Sequence, residues 1–132
     1  MCLITRDKKV RVAEEDIVCY KRLYPDKGSD KSIRYITPYR GFKVSDEIIE
    51  GKEPLIAKGI KTHKRGASGD QKLFSVDRGY IHVHTSFIYA KSIAKSWGDD
   101  VFKVIIPAGV KYYVSADGAE MCAERIVFKE KK

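Results

Sequence analysis

No stretch of this chain approaches the roughly 18 consecutive apolar residues that a membrane helix needs. The opening MCLITRDKKVRV also lacks the apolar run of a secretory signal. The expectation is a cytoplasmic protein with no membrane partner. Cysteine is scarce, at three residues: Cys2, Cys19 and Cys122. They are widely spaced, odd in number and form no C-x-x-C pair, which argues against a disulfide framework or a zinc knuckle. Cys19 and Cys122 lie in apolar contexts and read as small buried side chains. Internal repeats and low-complexity linkers are missing as well. Acidic residues are in deficit, 18 against 26 Lys and Arg, for a net charge of +8. That imbalance points to an anionic partner: a nucleotide, a nucleic acid or an acidic protein surface.

What is present fits one folded domain, residues 1–132. That length buries a core without staples, and 43% hydrophobic with 11% aromatic residues suits a globule. Residues 3–5 and 9–13 can pair across the Arg6-Asp7-Lys8 turn. Residues 16–24, DIVCYKRLY, form the strongest strand, rich in β-branched and aromatic residues and ended by Pro25. Residues 33–39 and 41–44 are weaker strands, and 46–51 suggest a helical turn. Residues 81–85 form a strand. Phe87, Ala90, Ile93, Ala94 and Trp97 then recur at helical spacing, with Ser86 or Thr85 as cap and Gly98 as stop. The spacing predicts that Ile93 and Trp97 lie against a sheet. Residues 101–106 are nearly continuously apolar and suit a central strand. Strands at 111–115 and 125–129 follow. The fold class expected is α+β: a twisted, mainly antiparallel sheet with one long amphipathic helix, about residues 86–97, packed on it.

Chemistry concentrates in residues 79–97, GYIHVHTSFIYAKSIAKSW. Alternation along a strand places His82 and His84 on one face. Two imidazoles there can start a zinc site, but zinc wants a third and a fourth ligand and none stands at a supporting spacing, so no metal is expected. Thr85 and Ser86 bring hydroxyls to a helix N-terminus, where N–H groups and the helix dipole favour an anion. Lys64 and Arg65 open a Gly-rich basic loop, residues 63–70, which lacks the ending of a Walker A motif. Its small residues let backbone N–H groups approach an anion. Tyr39, between Pro38 and Arg40, and Tyr89, at the helix start, are the tyrosines best placed for a base to stack on.

Two resemblances add to this reading. The opening Met1-Cys2-Leu3, the segment from Ala13 to Lys21, Gly79-Tyr80-Ile81-His82 and the stretch from Ile105 to Tyr113 resemble small proteins of gut Bacteroidetes and their phages, a likeness that carries no assigned function. The order of elements is also similar to the ADP-ribosyltransferase core. Its early basic residue would be Arg22 or Lys21, its strand-end hydroxyls Thr85 and Ser86, and its catalytic carboxylate Glu124. That resemblance implies NAD as cofactor and Glu124 as the group that stabilises the ribosyl cation-like transition state. Cys122 stands where the family pairs a second Glu or Gln.

The expected function is a binding module that captures an anionic nucleotide-like small molecule without a cofactor. Arg22, Tyr39, Lys64, Arg65, His82, His84, Thr85, Ser86 and Tyr89 are its expected ligand contacts. The phage resemblance implies sequestration of a host immune nucleotide signal in the host cytoplasm. The alternatives are an NAD-dependent ADP-ribosyltransferase-like enzyme, and a binder of nucleic acid or acidic protein. A homo-oligomer is compatible with any of the three.

Overall fold

The structure is a computed structural model. It describes residues 3–5, 10–27, 33–37, 43–57, 62–64, 74–76, 81–115 and 117–132. Among the described residues the architecture is mostly antiparallel sheet with two helices. Among the described residues, one sheet runs in the order β2 (Arg11–Val12), β11 (Lys111–Val114), β12 (Glu120–Ala123), β9 (Ile81–His84), β3 (Ile17–Lys27), β10 (Asp100–Ile106), β13 (Arg125–Lys131), β6 (Leu55–Ile56). A branch of β4 (Ile33–Ile36) and β5 (Lys43–Val44) pairs with the distal half of β3. A second, three-stranded sheet runs β1 (Leu3–Thr5), β8 (Phe74–Val76), β7 (Thr62–Lys64).

β10 is the centre, as its apolar run predicts. It pairs with β3 over seven residues, Asp100 opposite Leu23 to Ile106 opposite Ile17, and with β13 on its other edge. Phe102, Val104 and Ile106 point into the main core with Cys19, Leu23, Val83, Met121, Ile126 and Phe128. Val101 points the opposite way, into a smaller cluster with Ala90 and Ala94 of α2 (Phe87–Trp97) and with Tyr20. The other helix, α1 (Asp46–Ile49), is a single turn whose Ser45 accepts from the Ile48 N–H. It ends at Gly51, at φ +80, where a Cβ would lie 2.7 Å from the Phe128 carbonyl oxygen. Only glycine fits both the left-handed turn and that close approach.

Three expectations are corrected. Residues 3–5 do not pair with the strand that follows them: β1 pairs with β8, and β2 pairs with β11. Pro25 does not end β3, which continues to Lys27 with Pro25 opposite Tyr35. Beyond Leu23 the pairing of β3 with β10 has ended and β4 alone pairs with it, so Pro25 sits on a one-sided ladder, where a residue without an N–H is tolerated. Trp97 does not face the sheet; it is 71% exposed, and Ile88 is 84% exposed. The helix meets the sheet through Ala90 and Ala94, and Trp97, its last residue, stays outside that contact. Its apolar residues therefore do not sort into one buried face.

Candidate ligand-binding site

Alternation along three neighbouring strands builds a polar row on the sheet face that α2 covers. Tyr20 of β3 stands opposite His84 of β9, and His84 stands opposite Glu120 of β12. One step along, Arg22, His82 and Cys122 repeat the row. Tyr20 packs edge-on against Phe87, which seats the start of α2 over it, ring centroids 5.5 Å apart.

The row is held by buried polar contacts. The Arg22 guanidinium, 5% exposed, donates from Nε to His84 Nε2 at 2.9 Å and from a terminal nitrogen to Asp99 at 2.7 Å. Asp99 follows Gly98, the left-handed C-cap of α2, so the ion pair pins the helix end to β3. At the helix start, Thr85 donates its hydroxyl to the carbonyls of Gly118 and Ala119, 3.0 and 3.2 Å, and Ser86 caps the helix by accepting from the Tyr89 N–H. Lys21, adjacent to Arg22 on the opposite face, buries its ammonium against the His82 carbonyl at 2.8 Å. The His82 ring lies 3.3 Å from the Cys122 sulfur.

These surroundings suppress charge. Burial, then the neighbouring cations, depresses both His82 and His84 from 6.5 to about 4, so both are neutral at pH 7. Burial lowers Lys21 to about 8, with the Arg22 charge adding to the effect. Glu120 is raised, first by burial and then by Asp117.

The geometry fixes the His84 tautomer. A guanidinium Nε can only donate, so Nε2 must accept and the proton of the neutral ring sits on Nδ1. That Nδ1 is buried and finds no hydrogen-bond partner among the described residues. The nearest carboxylate oxygen, on Glu120, is 3.8 Å away, too far for a hydrogen bond. The half-exposed Tyr89 ring leans on the imidazole, centroids 5.8 Å apart.

Six of the nine expected contacts thus lie together: Arg22, His82, His84, Thr85, Ser86 and Tyr89. Their roles divide. Arg22, Thr85 and Ser86 anchor α2, while the His84 Nδ1–H keeps no hydrogen-bond partner among the described residues and the Tyr89 ring stays half-exposed. Tyr39 and Arg65 lie outside the described residues, and Lys64 is the last residue of β7, described in its backbone alone. Glu124 is not brought to the site. It follows the β12 end that pairs with Ile81, whereas Thr85 follows the opposite end of β9, level with Ala119 and on the order of 16 Å away along the strands. Glu124 instead lines a cavity of about 370 Å³ with Ala57, Gly109 and Val110. Asp99, Glu120 and the Cys122–His82 contact escaped the sequence reading. The one signal for Asp99 was its place directly after the helix stop at Gly98.

Among the described residues no group of three or more His, Cys, Asp or Glu is placed to hold a metal ion, and no helix is long and apolar enough to cross a membrane. No family model, curated protein or solved structure matches the chain.

Proposed function

We propose that this chain is a binding module for an anionic nucleotide, held where β9 passes into α2. The observation that carries the reading is the His84 Nδ1–H, a buried donor without an acceptor among the described residues. Proteins pair such groups, because an unmet buried donor costs about 1–3 kcal/mol. A ligand oxygen or ring nitrogen would satisfy it. Tyr89 beside it supplies an exposed ring for a base, and the net charge of +8 draws a phosphate. Such a module works by capture, and sequestering a nucleotide signal is the activity we assign to it. An NAD-cleaving reaction gains no support here, since Glu124 sits apart from Thr85 and Ser86.

Calorimetric titration with nucleoside monophosphates tests the reading. Binding in the micromolar range is expected, weakened at least about tenfold in Tyr89→Ala, as loss of a stacked base predicts. Tyr89 is half-exposed, so the variant keeps its fold. Absence of binding by any nucleotide would remove the proposal, as would affinity indifferent to Tyr89.

A further inference from the structure

We infer that the site selects its base by edge, and that the base is guanine. The inference rests on the nucleotide-binding reading above and deepens it.

Two groups of opposite hydrogen-bonding sense stand side by side. His84 presents a donor, because Arg22 occupies its other nitrogen. Glu120, directly opposite His84 in the sheet, presents a carboxylate whose oxygen is 3.8 Å from that donor. The carboxylate is 34% exposed and no hydrogen bond to it is formed by His84, so it is free to swing outward and admit a planar edge between itself, the imidazole and Tyr89. Its two oxygens require two donors. Guanine carries two parallel donors, N1–H and the N2 amino group, beside one acceptor, O6. The match is O6 on the His84 Nδ1–H, with N1–H and N2–H on Glu120. Adenine and cytosine offer one donor group beside one acceptor and leave a carboxylate oxygen unmet. Hypoxanthine keeps O6 and N1–H but lacks the amino group. The Tyr89 ring lies where the purine face would stack. A bare anion such as inorganic phosphate is disfavoured here, because it would face the Glu120 charge.

The test compares guanosine, inosine and adenosine 5′-monophosphates on the whole chain by calorimetry, in the parent and in Glu120→Gln. Guanosine monophosphate should bind the parent at least about tenfold tighter than adenosine monophosphate, the discrimination a bidentate base contact provides. Inosine monophosphate should fall between them. In Glu120→Gln the guanosine preference should drop to within about threefold while nucleotides still bind. Equal affinity for all three nucleotides in the parent overturns the base assignment and leaves nucleotide binding standing. A guanosine preference that Glu120→Gln does not change also overturns it. Failure of all three to bind the parent overturns the underlying reading as well.

Discussion

The two histidines of the α2-facing row are informative because burial, more than any one neighbour, decides their protonation. Buried His82 and His84 stay neutral to about pH 4 in the folded chain, against 6.5 for a free imidazole. Between those values the unfolded chain holds more protons than the folded one, so stability falls as pH falls through that window. The loss reaches up to about 3 kcal/mol per histidine. Glu120, raised by burial, acts in the opposite sense and offsets part of it. The expected net result is a Tm that drops between pH 7 and pH 5, checked by thermal melts across that range. A flat or rising Tm would contradict the burial of the two rings. The cysteines give a second check. Cys19 and Cys122 are fully buried, and burial pushes the Cys19 thiol up to about 12. Thiolate is the reactive form. Neither position should be labelled by iodoacetamide in the native chain, and both should label in denaturant, as read by peptide mass spectrometry. The sequence announced the two histidines and the hydroxyls through their spacing. It could not announce Glu120 or Asp99, because their roles arise only once β12 lies beside β9 and the end of α2 lies over β3.

At the scale of elements, β3, β9, β10 and the span of α2 were legible, since β-branched alternation and capped helical spacing are local signals. β12, with the sequence EMCA, carries no β-branched residue and was invisible. Its strand character comes from pairing with β9 and β11. Trp97 shows where helical spacing misleads: periodicity names the residues that share a face, and packing decides how close that face comes. Trp97→Ala should therefore cost under about 1 kcal/mol by chemical denaturation, as exposed positions do. Phe128→Ala, in the main core, should cost about 3–5 kcal/mol. Gly51→Ala should cost more than 1 kcal/mol, because a Cβ there meets the Phe128 carbonyl in a left-handed turn. A Trp97 variant as damaging as the Phe128 one would mean that the last turn of α2 is buried after all.

Across the whole molecule, a charge of +8 suits two modes of anion binding that differ in salt dependence. A compact nucleotide site engages a few charges, whereas long nucleic acid releases many counterions and gives a steep log–log slope. Binding of a nucleoside monophosphate should weaken only a few-fold between 50 and 200 mM salt, and a single-stranded oligonucleotide should not compete better than the mononucleotide. A steep slope, with tighter binding to the oligonucleotide, would favour a nucleic-acid surface. Charge and composition carry the expectation of an anionic partner at this scale. The proposal of a compact site rests on side chains that fold together: the His84 donor, the Glu120 carboxylate beside it and the Tyr89 ring against the imidazole.

The most direct measurement is nitrogen-detected NMR of the His84 imidazole, free and with a nucleotide added. The free protein should show a neutral ring with its proton on Nδ1, persisting toward pH 4. Saturating guanosine monophosphate should shift the Nδ1–H resonance as an acceptor reaches it, while Nε2 keeps its bond from Arg22. A ring protonated on Nε2 in the free state, or an Nδ1–H resonance unmoved by saturating nucleotide, would contradict the site.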